Sequence, residues 1–140
     1  MDKYNNEGYP DPTAYAALTA VEQEERKKAW KPCVYICSPY AGDTENNIVA
    51  AKRYLLFAAK NNAIPFAPHL LYPQVLDDDN PGGRALALFF GMVFLCKCDE
   101  VWVFGGRISL GMEAEISKAG RRGMRIRYFN KNCEEVHPYA

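Results

Sequence analysis

The stretch DEVWVFGGRISLGMEAEISKAGRRG, residues 99–123, constrains the fold more than any other part of the chain. It reads as a short buried strand over Val101–Phe104, a turn through Gly105 and Gly106, and a helix that begins near Ser109 or Leu110 and ends at Gly123. A strand that feeds a helix through Gly and Ser leaves free backbone N–H groups at the helix start, where an anion can sit. Ser109 suits the N-cap, and Gly111 removes a side chain where a ligand can approach the backbone. Glu113 and Glu115 lie in the first turns, where the helix dipole favours their ionised form. Either can be a nucleophile or base facing a pocket, and either can be ordinary capping, with Glu115 pairing to Lys118. Met112, Ile116, Ala119 and Gly123 form the inward stripe, and the two acids flank it on opposite sides, so periodicity leaves the choice open.

The rest of the chain repeats the strand-to-helix pattern. CVYIC, residues 33–37, is a continuous apolar run that fits a strand buried on both faces. After the turn Ser38–Asp43, Thr44 is placed to cap a helix to about Asn61, with Ile48, Leu55 and Ala59 facing inward. Ile64–Ala67 is the next strand, ended by Pro68-His69. A long loop with Asp77, Asp78 and Asp79 follows, and its length favours a lid over a linker. Arg84 to about Lys97 reads as an apolar helix buried on most sides, Arg125–Phe129 as a last strand, and residues 130–140 as a polar tail.

This order predicts an α/β fold: an open parallel sheet in a Rossmann- or flavodoxin-like three-layer sandwich, with right-handed crossovers. An extra helix opens at Asp11-Pro12, so residues 1–30 form an N-terminal extension and 31–140 the domain. In such sheets ligands bind beyond the carboxyl ends of the strands, and three loops must gather there: 38–43, 68–83 and 105–111. The chain keeps its Gly, Ser, His and Tyr in those loops. The expected ligand contacts are Ser38, Tyr40, Gly42, His69, Gly105, Arg107, Ser109, Gly111 and Met112.

Composition narrows the partners. Lys plus Arg equals Asp plus Glu at 17 each, so no net field draws the chain to nucleic acid or to an anionic membrane. The longest apolar run, 85–96, is too short to span a bilayer, which leads to a cytoplasmic protein. The 5 cysteines contain no CxxC pair, and the 2 histidines lie far apart, so neither a metal site nor a bound cofactor is expected.

VYICSPYAGD (34–43), IPFAPHLL (64–71) and CDEVWVFGGRISLGMEAEISKAGRRG (98–123) together resemble the nucleoside 2-deoxyribosyltransferase superfamily, and most closely a branch common in phage and prophage genomes. The superfamily includes 2′-deoxynucleoside 5′-monophosphate N-glycosidases and CMP hydroxymethylases. In it the nucleophilic glutamate is followed by a small residue four positions on and a glycine four beyond. Glu115, Ala119 and Gly123 have that spacing, so the resemblance selects Glu115. Six residues earlier, monophosphate users carry a phosphate-binding serine, and Ser109 stands there. The resemblance thus implies cleavage or transfer at the N-glycosidic bond of a (deoxy)nucleoside 5′-monophosphate, in a homo-oligomer.

It further implies that Tyr35 and Tyr40 contact sugar or base, that His69 stands in the pocket, and that Asp99 matches a family acid or makes a structural turn. Two departures stand out. Leu86–Met92 is apolar where relatives carry a sugar-fixing acid, for which one of Asp77, Asp78 and Asp79 is a substitute. Ala41 falls near the place of a phosphate-binding arginine, for which Arg107 or Arg84 is a replacement. The missing acid favours the alternative of a non-catalytic module that holds a nucleotide or nucleotide-derived signal. A structural protein whose helix start is mere capping is the third reading.

Overall fold

The computed structural model describes residues 12–26, 30–72, 76 and 80–138. The chain divides into two units, Met1–Trp30 and Lys31–Ala140. The first contains helix α1, Pro12–Arg26. Asp11, the expected cap of that helix, lies outside the described residues, as do Asp77, Asp78 and Asp79.

The second unit is an α/β sandwich built on one sheet of β1 (Cys33–Cys37), β2 (Ile64–Phe66), β3 (Glu100–Phe104), β4 (Arg125–Phe129) and β5 (Glu135–Val136). The strand order is β2-β1-β3-β4-β5. The first four strands run parallel, and β5 pairs antiparallel with β4. β2 lies at an edge, which is where the missing N–H of Pro65 is tolerated in a sheet. Helices α2 (Thr44–Lys60), α3 (Pro81–Leu95) and α4 (Leu110–Arg121) cover the two faces.

Alternation along the strands sorts the core into two layers. Val34, Ile36, Trp102, Phe104 and Phe129 pack with Tyr54 and Ala58 of α2. Tyr35, Cys37, Val101 and Val103 pack with Leu95 of α3 and with Met112 and Ala119 of α4. In the first layer Tyr54, Phe104 and Phe129 stack in series, with centroids 4.5 and 4.8 Å apart. Each such pair adds roughly 0.5–1.5 kcal/mol beyond the area it buries. The parallel α/β core matches the fold read from the sequence.

Four local expectations are corrected. In α2 the buried residues are Ala51, Tyr54 and Ala58; of those expected to face inward, Leu55 packs half-buried against the core, Ile48 is half-buried and Ala59 is exposed. The doublets Ala50-Ala51 and Ala58-Ala59 carry no phase of their own, and bulky Tyr54 sets it by stacking on Phe104. Thr44 is the first residue of α2, not its cap; Asp43 precedes it and accepts from the Asn46 amide at 2.6 Å.

The helix α3 starts earlier than Arg84, because Asn80 caps it through a 2.8 Å bond from the Gly82 N–H and Pro81 occupies the first turn. It is not buried on most sides: Gly91 and Leu95 are its buried residues, while Phe89 is 62% exposed. An outer-layer helix has one covered face, whatever its composition. The polar tail contains β5, too short to show a period; Arg127 holds it through two 2.8 Å bonds to Glu135.

Asp99, expected as a family acid or a structural turn, makes a structural contact between two strand starts. Its carboxylate accepts from the Cys33 N–H, and its own N–H donates to the Cys33 carbonyl, both at 2.8 Å. This latches the start of β3 to the start of β1.

Candidate functional site

The order of the strands places β1 beside β3, while the connection from β1 leads to β2 on the other side. That reversal opens a crevice at the carboxyl ends of β1 and β3. Ser38 follows β1, and Ser109 caps α4 after β3, its Oγ accepting from the Met112 N–H at 3.3 Å. Gly105 makes the turn between β3 and α4 at φ +95°, where a side chain would be strained and would meet the Pro39 ring at 3.5 Å. His69 enters from a single 3-10 turn, Pro68–Leu70, begun by Pro68 directly after β2.

These elements enclose a cavity of about 650 Å³, a size usual for small-molecule sites. Ser38, Tyr40, His69, Ser109, Gly111, Met112 and Glu115 all line it. Gly42, Gly105 and Arg107 are not among its lining residues. Arg107 instead donates through Nη2 to the Ala41 carbonyl at 3.5 Å, bracing the loop after β1 against the loop after β3. Of the two arginines weighed as an anion partner, Arg84 is the one in the wall.

Of the two charged residues in the cavity wall, Glu115 is buried and Arg84 exposed. Glu115 is 8% exposed, whereas Glu113 is on the solvent side of α4. The Tyr35 hydroxyl is placed to donate to the carboxylate, whose Oε2 is buried with no hydrogen-bond partner among the described residues. Burial pushes its pKa up to about 7, and the Tyr35 bond works against that rise. Tyr35 is held protonated by burial and by the Glu115 charge, so the phenol remains the donor. Cys37, on the same face of β1, is likewise pushed up by burial and by Glu115 and stays a thiol.

Across the cavity, Ser38 Oγ and His69 Nε2 are 2.9 Å apart, and the Tyr40 ring tilts over His69 at 5.9 Å between centroids. Burial lowers the pKa of His69 to about 4, so the imidazole is neutral at physiological pH. It can pass a hydrogen bond between Ser38 and a ligand but holds no positive charge.

The sequence reading missed the third wall, made by α3 with Pro81, Ala85, Leu88 and Gly91 and by Tyr72. A glycine inside an otherwise apolar helix was the available signal. No group of three or more His, Cys, Asp or Glu side chains among the described residues is arranged to hold a metal ion. No helix of the described residues is long and apolar enough to cross a membrane.

Fold and cavity together define an α/β protein of the doubly wound type, with a buried carboxylate in the wall of a cavity at its strand ends. Residues 32–129 match a family described as a domain of unknown function (DUF7768), and the chain belongs to that family. A comparison with curated proteins finds no match.

Proposed function

We propose that the protein cleaves or transfers at the N-glycosidic bond of a (deoxy)nucleoside 5′-monophosphate, with Glu115 as nucleophile. The observation that carries this reading is the Glu115 carboxylate: buried in the cavity wall, faced by the Tyr35 hydroxyl, and with Oε2 unpartnered among the described residues. The carboxylate attacks the anomeric carbon, and the base leaves with the bonding electrons and takes up a proton. Water then attacks the same carbon, returns the carboxylate and releases the sugar phosphate together with a proton, which balances the one taken up by the base. In transfer a second base replaces water. The phosphate rests on the Ser109 hydroxyl and the first amides of α4, and the base lies along Tyr40 and the apolar wall of α3.

The protein is incubated with a panel of nucleotides and free base is measured by chromatography. Release of base that falls by several orders of magnitude in Glu115→Gln is the expected result, and full activity in that variant removes Glu115 from the mechanism.

One observation favours a second reading. The α3 wall brings no carboxylate to the cavity, and its charged residue there is Arg84. A non-catalytic module that holds a nucleotide or nucleotide-derived signal fits that wall. Saturable nucleotide binding with no base release decides for it; neither binding nor release refutes both readings. The first reading also expects a homo-oligomer. The apolar side chains that α3 exposes, among them Phe89 and Val93, support that, and light scattering tests it.

A further inference from the structure

The geometry points to Gly91 as a positioning residue: by having no side chain, it lets the Tyr35 phenol stand between α3 and Glu115 and hold the carboxylate in place. Gly91 is buried in the middle of α3, an otherwise poor place for a glycine, which costs roughly 0.5–1 kcal/mol there relative to alanine. Space explains its presence. A Cβ built on Gly91 would lie 2.9 Å from the Tyr35 hydroxyl oxygen, closer than carbon and oxygen pack; the next neighbours, two Pro68 ring atoms, are at an ordinary 3.6 and 3.8 Å.

The phenol oxygen cannot yield as a flexible chain end would. It is carried on a rigid ring 1% exposed, on the central part of β1, with Phe66 against the ring at 6.3 Å. The oxygen that a methyl group would displace is the same atom that is placed to donate to Glu115, in the wall of the cavity that all three residues line. One missing methyl on α3 therefore reaches the carboxylate on α4 through a side chain of β1. Gly120, a helical glycine with nothing within 4 Å of its built Cβ, has no such duty.

This inference deepens the reading of Glu115 and is tested apart from it, since no turnover is needed. The titratable groups packed on Glu115 are Tyr35 and Cys37 of β1, both protonated through neutral pH; His69 and Arg84 stand elsewhere on the cavity wall. The Glu115 carboxyl is followed by carbon-13 NMR from pH 5 to 9, its resonance assigned by its absence in Glu115→Gln. Tyr35→Phe removes the hydroxyl, with an expected rise of about tenfold in the proton affinity of Glu115. Gly91→Ala shifts the midpoint in the same direction, and Tyr35→Phe/Gly91→Ala titrates like Tyr35→Phe alone. Gly120→Ala leaves the midpoint where it is in the parent protein.

A folded Gly91→Ala protein with an unmoved midpoint overturns the inference, even if its ligand affinity changes. So does an effect that adds to that of Tyr35→Phe. If Gly91→Ala does not fold, the double variant decides. Folding restored by removing the phenol oxygen supports the inference, and continued failure to fold overturns it.

Discussion

Replacing Glu115 by Gln should change how stability depends on pH, with a sign and size set by two buried groups of opposite behaviour. Glu115 titrates near 7 in the folded protein against an ordinary 4.5. Between those values the native state binds more protons than the unfolded chain, so stability is full below about 4.5 and is lost as pH rises toward 7. Two to three pKa units correspond to about 3 kcal/mol in all, of which about 2–3 kcal/mol falls between pH 5 and 8. His69 works the other way. Its pKa drops from 6.5 to about 4, so the unfolded chain binds the extra proton, and stability rises by about 2 kcal/mol over the same interval.

In the parent protein the two contributions nearly cancel. Urea denaturation at pH 5, 6, 7 and 8 should therefore give an almost level curve from these groups, while Glu115→Gln leaves the His69 slope uncovered and gains about 2 kcal/mol from pH 5 to 8. His69→Gln should show the reverse slope. The absolute stability of Glu115→Gln is a poorer guide, because the new amide N–H needs an acceptor that the carboxylate did not, and an unmet donor costs roughly 1–3 kcal/mol. The slope difference is free of that cost, and other titrating groups cancel in it. A Glu115→Gln curve parallel to the parent's refutes the claim that this carboxyl is buried with a raised pKa.

Further outcomes follow from single contacts. If Glu115 acts ionised, kcat/KM for base release rises with pH and levels off above a midpoint near 7, which initial rates across pH 5–9 will reveal. Gly105→Ala forces a side chain onto φ +95° beside Pro39 and should cost about 1–2 kcal/mol in thermal denaturation. Asp99→Ala takes the acceptor from the Cys33 N–H in an exposed bond, so it should cost about 1 kcal/mol and leave nucleotide affinity alone, as calorimetry with a nucleotide can check.

The fold was legible because each strand of the parallel core carries its own signal. CVYIC and VWVF are continuous apolar runs, and each is followed by a turn rich in Gly, Ser or Pro and then a helix. The three loops that had to converge did so, which brought Ser38, His69, Ser109 and Glu115 to one cavity. Periodicity alone could not separate Glu113 from Glu115, since both flank the stripe. What separates them is tertiary: Tyr35 on β1 offers a hydroxyl on one flank, and the other flank meets water.

Arg107 and Gly42 sit in the right loops but serve the loops themselves, with Gly42 at φ +97° close to the guanidinium and Arg107 on the Ala41 carbonyl. The opposite error fell on α3. An almost wholly apolar sequence signals interior, yet this helix forms both a cavity wall and an exposed apolar surface, and one sequence carries no mark that distinguishes the two.

The spacing along α4 then gives the proposed reaction its internal logic. Ser109 and Glu115 are six residues apart on one helix, an axial separation of about 9 Å. A phosphate at the cap and an anomeric carbon at Glu115 lie at opposite ends of a sugar, which such a separation can hold. The distance also limits a conflict built into the site. Phosphate charge raises the proton affinity of a neighbouring carboxylate, and the carboxylate must be ionised to attack. At about 9 Å and an effective dielectric constant near 20, each unit of charge costs about 2 kcal/mol, against about 4 at 4 Å. The amides at the start of α4 offset part of that from the positive end of the helix dipole, nearest the phosphate. Tyr35, placed to donate to Glu115 from the sheet side, favours the ionised carboxylate without adding a charge that would hold the phosphate too close. In the proposed reaction one helix thus separates the group that would bind charge from the group that must carry it.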